Sequence, residues 1–285
     1  MTDNKKNSET LLGDAFFNQK KWDEEAPYYD LMNKMEKHGT EMELELLPLS
    51  KDDIVLDIGC GPGRMTVPLA RRVKEVYAVD FSASMIDICK RNCENAGITN
   101  AHCLQADWQN EEDLALFPKV DVIVQARWSA GSSTLEKYRR AARKCVVIIE
   151  WAKNPPRIAR DTLFRKCYSE DAMEKYPELR PFDELAYSSR NETKNAKEKR
   201  DQALREELRE AGIEMHSQII EEGWRLSAPT REEAVSRLIL LSRCPQLVNR
   251  AQFEKNLEPY LKPFEGEWRF YMPTWAKVEW FYVSR

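Results

Sequence analysis

Histidine is almost missing from this 285-residue chain, which carries only three. His38 falls in an expected helix as a surface or capping residue, and His102 and His216 fall within expected strands, so no histidine base is anticipated. Positive charge is not in excess either. With 44 basic residues against 48 acidic ones the net charge is −4, whereas electrostatic capture of nucleic acid needs a basic face or stripe; no nucleic-acid partner is expected. No apolar run approaches the length of a membrane span, and the opening MTDNKKNSET has no apolar core. No membrane association and a cytoplasmic location are therefore expected. There is no internal repeat and no low-complexity linker. The seven cysteines are odd in number and scattered through expected strands and helices, which fits reduced thiols, with Cys167 and Cys244 the candidates for a reactive one. Cys89 and Cys93 stand four residues apart on an expected helix, and two thiols are too few for a structural zinc site. No metal is expected.

What the chain does have is apolar bulk: 42% hydrophobic residues, with ten phenylalanines, ten tyrosines and eight tryptophans, enough for a packed core. The rest is organised around Asp53 to Arg64, DIVLDIGCGPGR. Ile54, Val55, Leu56 and Ile58 form a short apolar run that reads as a buried parallel strand with Asp57 near its carboxyl end. Gly59, Gly61 and Gly63 follow, allowing the positive φ angles of a sharp strand-to-helix turn and close approach of a ligand to bare backbone. A helix beginning after the turn would aim free N–H groups at a negatively charged part of that ligand. The spacing discriminates between ligands. A dinucleotide fingerprint needs G-x-G-x-x-G, but here the third glycine comes one position early, Arg64 stands where it belongs, and Pro62 removes an N–H.

With Asp57 the pattern is D-x-G-x-G-x-G, which resembles motif I of the class I S-adenosylmethionine-dependent methyltransferases. Three features downstream match that resemblance. Val76 to Val79 reads as a second strand ending in Asp80, about 20 residues on, where a ribose-binding acid is placed. Phe81 and Met85 open the next helix, where an adenine would lie. His102 to Gln105 reads as a third strand running into Ala106, Asp107 and Trp108, resembling the family's acid at the adenine amino group. The resemblance thus implies a cofactor, S-adenosylmethionine, held by Asp57, Gly59, Cys60, Gly61, Gly63, Asp80, Phe81, Met85, Ala106, Asp107, Trp108 and Gln125.

Strands at Val120–Gln125 and Cys145–Trp151, joined by a basic, solvent-facing helix from Leu135 to Lys144, complete an α/β reading: a Rossmann-like doubly wound sheet, mostly parallel. Leu11 to Leu47 reads as helices interrupted at Gly39, and the resemblance implies that residues 1–48 cap the cofactor and residues 49–285 form the methyltransferase domain. Helical insertions are expected at about 155–212 and 229–264. Asn154-Pro155-Pro156 reads as a loop breaker, Ile213 to Glu221 as a sixth strand, and Trp268 to Val283 as a final strand pairing antiparallel at the sheet edge. Small-molecule methyltransferases related to quinone-biosynthesis enzymes are similar in placing a helical insertion before the last strand.

Ligands in such sheets sit beyond the carboxyl ends of the strands. That rule gives Arg127, Trp128 and Trp151 as substrate-pocket residues, with Glu150 as candidate catalytic base or amine-binding carboxylate; the resemblance, in which N-terminal helices close the pocket, adds Tyr28 and Tyr29, and Trp224 joins them as an aromatic residue near the expected pocket edge. The resemblance implies methyl transfer to an O, N or S nucleophile of a small metabolite. A protein or RNA methyltransferase, and a cofactor-binding module without transfer, remain open at this point, as does the oligomeric state.

Overall fold

The computed structural model describes residues 19–127, 133–153, 156–180, 187–242 and 244–283. A long helix α1 (Gln19–Glu45) precedes an alternation of β1 (Ile54–Ile58), α2 (Thr66–Ala70), β2 (Glu75–Asp80), α3 (Ala83–Asn95), β3 (Ala101–Gln105), β4 (Val120–Ala126), α4 (Leu135–Ala141) and β5 (Ala142–Lys153). Helices α5 (Pro156–Leu163), α6 (Glu170–Lys175) and α7 (Tyr187–Glu210) lead to β6 (His216–Glu221) and β7 (Trp224–Ala228). Helices α8 (Arg231–Leu238) and α9 (Arg250–Leu257) and strands β8 (Leu261–Phe264), β9 (Glu267–Met272) and β10 (Trp275–Tyr282) close the chain.

The main sheet has the order β3-β2-β1-β4-β5-β10-β6. Its first five strands pair in parallel, and β10 runs antiparallel to both β5 and β6. Strands buried on both faces read as continuous apolar runs. Leu56, Ile123, Val146 and Ile148 pack toward α4 and α7, while Val55, Val122, Val124, Val147 and Ile149 pack toward α1 and α2. Strand order reverses between β1 and β4, so the crevice beyond their carboxyl ends is where such a fold admits a ligand.

Four expectations need correction. The final strand is not at the edge: β10 lies between β5 and β6, and β6 takes the edge. The aromatic tail from Trp268 is two strands in different sheets, because β9 pairs with β7 and β8 in a separate three-stranded sheet. Gly39 does not interrupt the N-terminal helix, which is continuous; a Cβ there would lie 2.6 Å from Cβ of Glu222, so the missing side chain is what lets Glu222 press against the helix. Finally, α4 is not solvent-facing. It carries basic Arg139 and Arg140 outward but buries Leu135, Lys137, Tyr138 and Ala141, the one-sided pattern of an amphipathic helix.

The three-stranded sheet, α8 and α9 enclose a second core around Trp224, Phe253 and Phe270, into which α1 inserts Met32 and Met35. One helix therefore bridges both cores.

Candidate functional site

The glycine turn is clamped to the tip of β2. Gly59 and Cys60 both donate their N–H to the Val79 carbonyl, at 2.8 and 3.0 Å, and Gly61 donates to Asp80 Oδ2 at 3.0 Å. All three glycines have positive φ, 65°, 53° and 93° in order, a region that carries strain for other residues. They differ in surroundings. A Cβ on Gly61 would meet nothing nearer than the Met85 sulfur at 3.9 Å, which leaves its side open to a ligand. A Cβ on Gly63 would lie 2.9 Å from Cys89 Sγ, so this glycine lets α3 pack behind the turn. Gly63→Ala should therefore lower stability by about 1–3 kcal/mol. Gly97→Ala, also at positive φ but with nothing within 4 Å, should cost less; equal denaturation midpoints for the two variants would contradict the packing role. The helix after the turn is the five-residue α2, without a side-chain cap, and the turn's own N–H groups at Gly59, Cys60, Gly61 and Gly63 are all bonded within the protein.

Asp57 is buried, accepts the Thr66 hydroxyl at 2.6 Å, and is pushed up to about 7 by burial. Asp80 accepts from Ser82 N–H at 2.9 Å as well as from Gly61, and burial pushes it up to about 6. The β3 tip is tied to it: Ala106 N–H donates to the Asp80 carbonyl at 3.0 Å and Gln105 donates to the Phe81 carbonyl at 3.1 Å. Asp107 accepts Gln109 N–H at 2.9 Å and gives its own N–H to Asp113 at 2.7 Å. At the β4 tip, Gln125 accepts the Tyr138 hydroxyl, that hydroxyl accepts Ser133 N–H, and the Ser133 hydroxyl accepts Trp108 Nε1–H at 2.6 Å. The expected cofactor residues thus converge on the tips of β1 to β4.

Helix α1 closes the approach. Asp23 accepts the Ser82 hydroxyl at 2.5 Å and Ser84 N–H at 3.1 Å, and the Ser82 hydrogen bond leads the effects that hold its carboxyl below the usual range. Trp22 and Tyr29 pack with Ala26 against Met85 and Ile88, whereas Tyr28 joins the second core.

Beyond Gly63 and the β4 tip lies a buried ionic cluster. Arg127 has φ 57°, and it contacts Glu36, Glu43 and Glu222 while its guanidinium lies 3.4 Å over the Trp151 ring. Arg64 bonds Glu43 at 2.5 Å and Thr40 at 3.1 Å, and Trp224, fully buried, donates its indole N–H to Glu36 at 3.1 Å. Burial pushes Glu222 up to about 8. For Glu43, Arg127 and Arg64 outweigh burial and hold it low. With Glu222 protonated, two carboxylates face two guanidiniums and the cluster is neutral. Among the described residues, Arg64 Nη2, Arg127 Nε and Glu222 Oε2 lack a hydrogen-bond partner.

Glu150 and Trp151 fall on opposite faces of β5. Alternation along β5 puts Glu150 on the face of Val146 and Ile148, and Trp151 on that of Val147 and Ile149, beside Arg127. Trp128 lies outside the described residues. Sequence reasoning missed Asp23, Ser82, Ser133 and Tyr138, and also Glu36, Glu43, Arg64 and Glu222. A signal existed for Glu36 and Glu43: they stand seven residues apart, on the same face of α1 as Met32, Met35 and Leu44, where an acid is out of place unless paired.

Residues 55–150 match a family model described as a methyltransferase domain. The chain is 35% identical over 91 residues to a probable cobalt-precorrin-6B C(15)-methyltransferase (decarboxylating) of Methanocaldococcus jannaschii, a match covering 32% of this chain and 46% of that protein. It is 39% identical over 82 residues to a 23S rRNA (uracil(1939)-C(5))-methyltransferase of Stenotrophomonas maltophilia, covering 29% of this chain and 18% of that one. The chain thus spans less than half the length of each of these curated relatives. Among solved structures, a SAM-dependent methyltransferase from Aquifex aeolicus is 21% identical with a TM-score of 0.42, over 69% of this chain and 91% of that one. The glycine turn with its acid, strands β1 to β5 and the matched segment fall together, so the stretch 55–150 is similar to the methyltransferase domain of the class I S-adenosylmethionine-dependent enzymes.

Proposed function

We propose that the protein moves a methyl group from S-adenosylmethionine to an O, N or S nucleophile of a small metabolite. The observation that carries this reading is the open side of Gly61 beside the Asp80 carboxylate, at the point where strand order reverses. A bare backbone turn beside a carboxylate that can accept ribose hydroxyls is what this cofactor's ribose end requires. When bound, the cofactor supplies a methyl group on a positively charged sulfur.

The chain's own residues then divide the work. Asp80 takes the ribose hydroxyls, Asp107 the adenine amino group, and Phe81 and Met85 the ring. Gln125 and the unpartnered Nη2 of Arg64 take the methionine end. Helix α1 excludes water by resting on Ser82 and Met85. Since the donor is already a strong electrophile, aligning the nucleophile is the main task, and orientation is worth roughly 7 to 11 kcal/mol. Glu150 is the proposed base or amine-binding carboxylate.

Calorimetric titration with S-adenosylmethionine and S-adenosylhomocysteine tests the reading, with micromolar binding of both expected. A folded protein that binds neither overturns it. The match to a ribosomal-RNA enzyme raises a second reading, RNA as acceptor. The net charge of −4 opposes it, and RNA binding that strengthens steeply as salt is lowered would favour it.

A further inference from the structure

Behind the glycine turn, on the side away from the open face of Gly61, three thiols meet. Cys89 and Cys93 are one helical turn apart on α3, and Cys103 faces them from β3. The three sulfurs all lie within 4.8 Å of one another, with Cys89 and Cys103 at 3.4 Å. Cys89 and Cys93 are buried and Cys103 is half-buried, which leaves a way in. The shell is apolar: Ala78, Ile86, Val67, Ile98 and Ala101.

A fourth thiol, Cys60, belongs to the same apolar cluster but is turned to the Gly61 carbonyl and lies outside the group of three sulfurs.

Geometry and charge together select the occupant. Three sulfurs each about 2.3 Å from a common centre stand about 4 Å apart, within the spacing observed. Hard cations prefer oxygen ligands. Zinc with three thiolates would carry a net −1 and keep a vacant fourth position, and monovalent copper would carry −2, either of them a costly charge in an apolar shell. A trivalent thiophilic ion with three thiolates is neutral.

We propose that Cys89, Cys93 and Cys103 form a binding site for a trivalent thiophilic metalloid of the arsenic(III) class, held as a neutral tris-thiolate. Arsenous acid would react with three thiols to form three arsenic–sulfur bonds and release three waters, with no change in oxidation state. Cys89 also touches the space beside Gly63, so the site lies against the back of the cofactor turn, and any effect of its occupancy on cofactor affinity is reciprocal. That coupling rests on the proposed function; the site itself does not.

The test is arsenite added in slight excess to the fully reduced protein, followed by desalting and native mass spectrometry. The wild type should retain one arsenic atom with loss of three hydrogens, and X-ray absorption at the arsenic edge should show three sulfur neighbours. Cys103→Ser, at the half-buried and most forgiving position, and Cys93→Ser should each lower retention at least tenfold while keeping the wild-type circular dichroism spectrum. Cys244→Ser, remote from the cluster, should retain arsenic fully. Absence of arsenic on the wild type, equal retention by Cys103→Ser, or two sulfur neighbours in place of three would overturn the proposal. So would zinc or monovalent copper displacing arsenic at equal concentration.

Discussion

Arg64→Ala should destabilise the fold by about 3–5 kcal/mol, the cost of removing one partner from a buried ion pair. Its guanidinium is largely buried between Glu36 and Glu43 of α1, and Glu43 is fully buried. Both acids rely on two arginines, and Arg127 alone cannot hold two carboxylates and a third, protonated one in a neutral arrangement. The deleted side chain therefore leaves a carboxylate without its countercharge, and the helix that covers the turn is the element it loosens. For a chain of this size each kcal/mol is worth about 2–4 °C in melting temperature, so the loss is readable by calorimetry or denaturant titration. Glu43→Gln in the Arg64→Ala background should recover part of it, because the orphaned charge is then gone; this coupling separates a charge effect from lost packing. A loss under 1 kcal/mol for Arg64→Ala would mean that water reaches the cluster and screens it.

The cluster also marks the limit of what the sequence discloses. Parallel strands buried on both faces leave a plain trace, and β1, β2, β4 and β5 are legible in IVLDI, EVYAVD, VDVIVQA and the run ending CVVIIEW for that reason; β3, AHCLQ, lies at the sheet edge with no buried residue and is legible through the acid that follows it. The D-x-G-x-G-x-G turn and the acids at the next two strand tips are legible because their chemistry depends on spacing along the chain. Arg64 was visible only as the residue that spoiled a dinucleotide motif, since its partners Glu36 and Glu43 lie more than 20 residues upstream. Glu222 joins from almost 100 residues beyond Arg127. Gly39 reads as a helix breaker until Glu222 is seen to occupy the space that a side chain would need. The position of β10 is hidden for a related reason: an amphipathic strand looks alike at an edge and inside a sheet, and only the pairing of β6 on its far side decides. Cys103, separated from Cys89 by a strand crossover, turns an apparent pair of thiols into three.

Asp80→Asn should weaken S-adenosylmethionine binding about 30- to 1,000-fold, corresponding to the loss of two charge-assisted hydrogen bonds at roughly 1–2 kcal/mol each. The carboxylate already accepts Gly61 and Ser82 N–H groups, so the variant must be compared by melting temperature to separate a lost ligand contact from a disturbed turn. The pH dependence provides the sharper criterion. In the free protein burial pushes Asp80 up to about 6. Binding through ribose hydroxyls, which donate, favours the ionised carboxylate. Below pH 6 the proton must leave first, so affinity should fall by up to tenfold per pH unit there and level off above it. Asp57 is pushed up to about 7 and adds its own slope, but that slope persists in Asp80→Asn, so the difference between the two pH profiles belongs to Asp80. An affinity ratio between wild type and Asp80→Asn that stays constant from pH 5 to 8 would show that the ligand does not take its hydrogen bonds from this carboxylate, and the proposed roles at the β2 tip would have to be reassigned.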